Sequence, residues 1–165
     1  MYETAEDLSR LQDLLDRSYA SAGGHLKGIT TPERRMSAVE TAEFLSGMRL
    51  LALATVTADG RPLVGPVDGI FYRGRFWFGS SPDSVRYRHI QARPYVSATH
   101  TPAESHSVTV HGRAEIIDLS SPEHSGFSDC CVEIYGEEWL NWGDDAFYAR
   151  INPDKMFTFR MGERE

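Results

Sequence analysis

Cysteine is almost absent from this chain. Among 165 residues only Cys130 and Cys131 carry thiols, and they are neighbours in sequence. Adjacent cysteines offer neither the CxxC spacing of a zinc site nor a distant partner for a disulfide framework. We therefore expect two reduced thiols in a helix.

Long apolar runs and an excess of basic residues are also missing. No apolar stretch reaches the roughly 18 residues of a membrane-spanning helix, and the acidic first residues lack the apolar segment of a signal peptide. A formal net charge of −7 argues against binding nucleic acid by neutralising its phosphates. We expect a cytoplasmic protein with neither a membrane nor a nucleic acid as its partner.

The sequence shows no metal motif and no set of nucleophile and base. Its six histidines are scattered, and none has HExxH or carboxylate spacing. His106 and His111 are five residues apart, which places them on opposite faces of a strand. No metal site and no catalytic side chain is therefore predicted.

A hydrophobic content of 41% fits one globular domain with a core. Its beginning is predicted to be helical, because apolar residues recur at helical spacing at Leu8, Leu11, Leu15 and Tyr19. Gly23-Gly24 ends this helix, a loop is expected up to Pro32, and a second helix is capped by Ser37 and closed by Gly47. Residues 1–47 are thus predicted to form a helical extension.

Residues 48–165 contain short strands joined by turns. Six strands are predicted over residues 50–57, 62–72, 75–79, 95–100, 107–118 and 155–161. Asp59-Gly60 and Arg73-Gly74 mark hairpin turns. Helices are expected after the third strand and over residues 122–139 and 144–150. Hairpin order predicts a mainly β, antiparallel barrel rather than a parallel sheet, whose crossovers need helices between most strands.

The connection after the third strand is typical of an anion site. The strand leads into a helix N-terminus with hydroxyls at Ser81 and Ser84, and Arg86 and Arg88 follow within one turn. Unpaired N–H groups and the helix dipole favour an anion there, and two guanidinium groups suit a phosphate. We interpret this segment as the site of a phosphorylated cofactor. The alternative is a capped helix with a solvated basic face.

The order of the motifs carries a family resemblance. The matching segments are Ala54-Thr55-Val56, Asp59-Gly60-Arg61-Pro62, Val64-Gly65-Pro66-Val67, Phe76-Trp77-Phe78-Gly79-Ser80, Ser84-Val85-Arg86-Tyr87-Arg88, Arg93-Pro94 and Val108-Thr109-Val110-His111-Gly112-Arg113-Ala114-Glu115. This series resembles the pyridoxamine 5′-phosphate oxidase-like, flavin-binding split-barrel family. The resemblance implies a six-stranded antiparallel split β-barrel with Greek-key order over residues 48–165. It also implies a homodimer with cofactor sites between the protomers.

The resemblance further implies which residues bind the cofactor phosphate. Arg86 stands where the family places a lysine, and arginine keeps the charge while adding a fork that takes two phosphate oxygens. Ser84 and Arg88 match the polar positions that flank this lysine in the family's phosphate-binding motif. The turn beside the phosphate is matched by Gly79, Ser80 and Ser81.

A second group of residues is implied for the cofactor ring. The strand whose backbone lies along the ring is matched by Val64, Gly65, Pro66 and Val67, and Ser107 matches a polar contact to the ring or its tail. Gly65 would allow close approach, and Pro66 removes an N–H that would need a partner. Trp139 and Trp142 either cover the cofactor of a partner subunit or pack in a core or interface.

The implied activity is that of a flavin- or deazaflavin-dependent oxidoreductase that transfers a hydride to or from a small organic substrate. FMN is the expected cofactor, with coenzyme F-420 and FAD as alternatives. Residues 157–165 lack the Arg-rich segment of true pyridoxamine phosphate oxidases, so vitamin B6 oxidation is not expected. Two other functions stay open. One is a haem-binding or haem-degrading split barrel with His106 or His111 as ligand, and the other is a flavin carrier without turnover.

Overall fold

Six antiparallel strands close into a barrel at the centre of the molecule. The computed structural model describes residues 1–142 and 146–162. The strands are β1 Met48–Val56, β2 Pro62–Tyr72, β3 Arg75–Ser80, β4 Tyr95–Ala103, β5 His106–Ile117 and β6 Phe147–Arg160. Large apolar side chains fill the interior, among them Leu51, Leu53, Phe76, Phe78 and Val108. The predicted six-stranded antiparallel barrel is confirmed.

The strand order around the barrel is β1-β2-β3-β6-β5-β4. The first three strands are consecutive, and β4 then returns beside β1 through helix α4, Val85–Ala92. Three hairpin-connected strands with a fourth beside the first form a Greek key. This connection places the N-terminus of α4 at the end of β3 and beside the middle of β2.

The last strand is longer than predicted. β6 begins at Phe147, and its first half pairs with both β3 and β5. The helix predicted over residues 144–150 is therefore wrong from residue 147 onward, and its first two residues lie outside the described part of the chain. Phe147, Tyr148 and Ala149 are all buried, so this half of the strand shows no alternation between polar and apolar residues.

Three helices precede the barrel: α1 Ala5–Ala20, α2 Gly24–Ile29 and α3 Ala38–Phe44. The loop predicted up to Pro32 is wrong, because it contains α2 and is followed by a 3-10 turn over Pro32–Arg34. A six-residue helix is too short to show an amphipathic period. The capping box of α3 at Ser37 is confirmed.

The N-terminal helices are attached to the barrel through polar contacts. Tyr19 Oη donates to the carbonyl oxygen of Thr158 at 2.7 Å, and the Met156 N–H donates to Ser18 Oγ at 2.9 Å. Leu11, Leu14 and Leu15 are buried in the same core as the barrel interior. The division of the chain at residue 47 stays a prediction.

A helical pair covers the outside of the barrel beside Trp77. The single helix predicted over residues 122–139 is instead a 3-10 turn at Pro122–His124, then α5 Ser125–Tyr135 and α6 Trp139–Trp142. Gly136, with a φ of 83°, separates α5 from α6. Cys130 and Cys131 are buried free thiols in α5, as predicted, and burial raises the pKa of Cys130 to about 11. None of the helices in the described ranges has the length and apolarity needed to span a bilayer.

Candidate functional site

The guanidinium group of Arg86 joins the end of β3 to the middle of β2. Ser84 caps α4, and its Oγ accepts a hydrogen bond from the Tyr87 N–H at 3.1 Å. Arg86, in the first turn, donates from Nη1 to Ser80 Oγ at 3.1 Å and from Nη2 to the carbonyl oxygen of Pro66 at 3.0 Å. The helix cap therefore fixes Arg86 over the end of β3 and against β2.

The charge of Arg86 has no carboxylate partner within the described residues. Both groups that accept its hydrogen bonds are neutral, a hydroxyl and a carbonyl. Burial lowers the pKa of Arg86 from its usual value, which marks a cation partly withdrawn from water. A desolvated cation next to neutral acceptors is suited to bind an anion.

Strand β2 passes directly beside this guanidinium. An ideal Cβ built on Gly65 would lie 3.2 Å from Arg86 Nη2, so any side chain at this position would push against the guanidinium. Val64, Gly65 and Pro66 line an open cavity of about 310 Å³. Val67 instead points its side chain into the barrel core, and only its backbone could contact a ligand at this surface.

Three hydroxyl groups surround the start of α4. Ser80 Oγ donates to Ser84 Oγ at 3.4 Å, so these two and Arg86 form one connected cluster, which we call the Arg86 cluster. Ser81 is exposed, and its Oγ accepts from the Asp83 N–H at 3.2 Å. Position 79 requires glycine for a different structural reason, because an added Cβ would lie 2.9 Å from Tyr148 Cε1.

Two of the predicted site residues lie apart from the cluster. Arg88 is exposed on α4. Ser107 lies on β5 and lines a separate cavity of about 230 Å³ together with Thr109 and His111. One chain therefore brings together Gly65, Pro66, Ser80, Ser84 and Arg86, but it does not bring Ser107 to them.

An aromatic cavity beside the cluster was not predicted. Its volume is about 230 Å³, and Ser80 lies on its wall together with Gly79, Asp68, Trp139, Trp142 and Tyr148. Trp139 Nε1 donates to Tyr148 Oη at 2.7 Å, and burial raises the pKa of that phenol. The pair Trp139 and Trp142 was the sequence feature that could have indicated this cavity. Tyr148, which lines it with them, was predicted to lie in a helix.

The histidines are engaged elsewhere in the fold. His89 Nδ1 is 2.9 Å from Thr55 Oγ1 and His100 Nδ1 is 2.9 Å from the Leu50 carbonyl oxygen. His106 stacks on Phe44, while His111 is exposed on the outer face of β5 with its Nδ1 2.7 Å from Ser97 Oγ.

Comparison with known proteins identifies related sequences and structures. A family model described as pyridoxamine 5′-phosphate oxidase matches residues 38–162. Three solved structures share the fold. A conserved hypothetical protein from Mycobacterium tuberculosis is 21% identical, with a TM-score of 0.64 over 81% of this chain and 94% of the other. An FAD-binding protein from Mesorhizobium loti is 22% identical, with a TM-score of 0.61 over 78% and 98%. The haem storage protein HutZ from Vibrio cholerae is 21% identical, with a TM-score of 0.62 over 76% and 95%. No curated protein matches this chain.

Proposed function

This chain belongs to the pyridoxamine 5′-phosphate oxidase family, and we propose that it is an oxidoreductase that binds a flavin or deazaflavin cofactor by its phosphate at the Arg86 cluster. FMN is the proposed cofactor, with coenzyme F-420 and FAD as the alternatives. The substrate is a small organic molecule that exchanges a hydride with the cofactor. One neighbouring structure is an FAD-binding protein and another is an F-420 reductase, which supports a flavin or deazaflavin as the class of cofactor.

The observation that carries the proposal is the partly buried Arg86 guanidinium, whose hydrogen-bond partners Ser80 and Pro66 are both neutral. A phosphate would supply the missing negative charge and accept charge-assisted hydrogen bonds, which are about twice as strong as neutral ones. The hydroxyls of Ser80 and Ser84 add donors beside it. The chain thus provides cation, donors and helix N-terminus at one point.

The surroundings also fit a flat ring system. Gly65 leaves the surface of β2 open next to Arg86 Nη2, and the adjoining cavity of about 310 Å³ is lined mainly by apolar and small residues. Pro66 presents no N–H there, so an apolar ring would leave no donor of that residue unpaired. When bound, a flavin supplies the hydride acceptor and donor. The task of the protein is to hold the phosphate, orient the ring and limit water at one face.

We propose a homodimer as the functional form. The outer face of β1 and β2 exposes Leu50 and Val64, with 58% and 67% of their surface accessible, and the exposed pair Ala52 and Pro66 lies between them. Apolar side chains on a continuous sheet face are typical of a covered surface. A second protomer would cover this face, and it is also the means by which Ser107 of one chain would reach the Arg86 cluster of the other.

The proposal is tested by comparing Arg86→Ala with Arg88→Ala. Arg86 is partly buried in the cluster and Arg88 is exposed on the same helix, so each variant removes one positive charge from α4. Loss of one charge-assisted contact, worth about 1.5 to 3 kcal/mol, would weaken FMN binding by about 10- to 150-fold in Arg86→Ala. Arg88→Ala should retain affinity within about 3-fold. Equal affinities in the wild type and Arg86→Ala would refute the phosphate site.

Haem is the second candidate ligand. His111 is an exposed imidazole on the outer face of β5, and one structural neighbour is a haem storage protein. Absorbance separates the candidates, because bound haem gives an intense Soret band and a flavin does not. A flavin carrier without turnover would bind FMN but resist reduction by a nicotinamide cofactor, which anaerobic reduction measures directly.

A further inference from the structure

Another cavity, far from the Arg86 cluster, gathers positive charge. It lies between α1, the β2–β3 hairpin and the middle of β6, and its volume is about 510 Å³. Five arginines line it, Arg10, Arg17, Arg73, Arg75 and Arg150, against two carboxylates, Asp7 and Glu123. The whole chain has a formal charge of −7, so this concentration of arginine runs against the overall composition.

Part of this charge is compensated within the fold. Asp7 forms ion pairs with Arg10 Nη2 at 2.7 Å and Arg73 Nε at 2.9 Å. Arg150 Nε pairs with Glu115 at 3.0 Å. These pairs hold three guanidinium groups in place at the wall of the cavity.

Two of the five arginines have no such compensation. Within residues 1–142 and 146–162, neither Arg17 nor Arg75 forms a salt bridge. Arg75 Nη1 donates to the neutral amide oxygen of Asn152 at 2.9 Å. Burial, together with the nearby charge of Arg150, lowers the pKa of Arg75 and outweighs the carboxylates of Glu115 and Asp7, which raise it. Like charges kept together at a concave surface attract a counter-ion.

We propose that this cavity is a binding site for a small polyanion, a phosphate ester or polycarboxylate with at least two negative charges. Arg75 and Arg17 are the guanidinium groups that meet the ligand, because they lack carboxylate partners in the described residues. Arginine suits both anion types, since its planar fork donates two parallel hydrogen bonds to carboxylate or phosphate oxygens. The cavity is large enough for a ligand of many atoms, whereas a single chloride would leave most of it to water.

This site is separate from the cofactor site. Arg75 begins β3 and Ser80 ends it, so the two lie about 16 Å apart along the strand. The cavity shares no residue with the Arg86 cluster. Its ligand is therefore independent of the proposed flavin, and either site can fail without the other.

The test is calorimetric titration of the full chain with inorganic pyrophosphate and, separately, with citrate. We compare the wild type with Arg17→Gln/Arg75→Gln and with the control Arg61→Gln, an exposed arginine of the β1–β2 turn. We expect saturable binding of at least one probe, weakened by about 10-fold or more in the double variant and unchanged in the control. The probe that binds with the higher affinity shows whether the site recognises phosphate or carboxylate groups.

A second variant protects the test against misfolding. Arg17 is exposed on α1, so Arg17→Glu leaves the fold intact while reversing one charge at the cavity. This variant should bind the probe more weakly than the wild type does. Absence of saturable binding, an affinity unchanged in both cavity variants, or an equal loss in Arg61→Gln would each overturn the proposal. The last two outcomes would assign the binding to the Arg86 cluster or to general surface charge.

Discussion

Gly65 lies next to the Arg86 guanidinium, and a side chain added at this position would contact it. A Cβ at this position would lie 3.2 Å from Arg86 Nη2. The end of the arginine side chain is the flexible partner in that contact. Gly65→Val should therefore displace Arg86 rather than disturb the barrel. We expect FMN affinity to fall by about 10-fold or more, while the free energy of unfolding changes by less than about 1 kcal/mol. Fluorescence titration and thermal unfolding measure the two effects.

A matched substitution controls for the added valine. Gly28→Val introduces the same side chain at a position where nothing lies within 4 Å, and it should bind FMN as the wild type does. Unchanged FMN affinity in Gly65→Val would mean that the cofactor does not lie against this part of β2.

At the residue scale, local sequence was sufficient for part of the site. Ser84 and Arg86 lie two positions apart at a helix start, so their proximity was predictable from the cap alone. The carbonyl of Pro66 is 20 residues away from Arg86, and no local pattern indicates that contact. Gly79 was predicted to lie in the turn beside the phosphate, but glycine is needed there to leave space for Tyr148. Only the pairing of β3 with β6 reveals that neighbour.

At the element scale, α1 depends on a buried acid. Asp7 is part of the capping box with Thr4 and pairs with Arg10 and Arg73. Burial by itself raises the pKa of Asp7, but the hydrogen bonds from Thr4 and the two guanidinium groups outweigh it, so the pKa is lowered overall. A carboxyl with a lowered pKa stabilises the fold above its unfolded pKa, and this contribution disappears as pH falls through the folded value.

Asp7→Asn should accordingly destabilise the protein by about 1 to 3 kcal/mol at pH 7, because charge-assisted hydrogen bonds to a buried group are lost. The difference from the wild type should begin to shrink below about pH 4, where the carboxyl of the unfolded wild type takes up a proton, and it should disappear below the lowered pKa of the folded state. Urea unfolding at pH 7 and pH 3 measures both values. Asp13→Asn, on the exposed face of the same helix, should change stability little at either pH. A constant difference across this range would contradict the assigned role of the Asp7 charge.

The elements also show where sequence patterns fail. β1 and β2 were predicted nearly to their ends, since turn residues bound them and both are rich in apolar and β-branched residues. The first half of β6 was missed because the barrel interior and α5 bury successive residues of that strand on both faces. A strand buried on both sides has no period of two to detect.

At the scale of the whole molecule, the proposed homodimer would form through the outer face of β1 and β2. Leu50 is 58% exposed on β1 and lies opposite Asp68 of β2. Leu50→Lys should leave the monomer folded, because a lysine beside Asp68 is a favourable cross-strand pair, but it would bury a charge in a dimer interface. We expect wild-type dimers and Leu50→Lys monomers in light scattering, with weaker FMN retention in the variant.

The control for this surface is Leu140→Lys. Leu140 is also 58% exposed but lies on α6, so this variant should remain dimeric and retain FMN. A wild-type protein that binds FMN as a monomer would contradict the proposed homodimer while leaving the Arg86 cluster in place.

The proposed role of the Arg86 cluster is to hold the phosphate of a flavin or deazaflavin. Its most direct test is a fluorescence titration of the wild-type apo-protein with FMN and with riboflavin, which differ only in that phosphate, followed by coenzyme F-420 and FAD. We predict saturable binding of a phosphate-bearing cofactor, and if that cofactor is FMN, riboflavin should bind about 10- to 150-fold more weakly. Equal affinity for FMN and riboflavin, or no binding of FMN, coenzyme F-420 or FAD, would contradict the account.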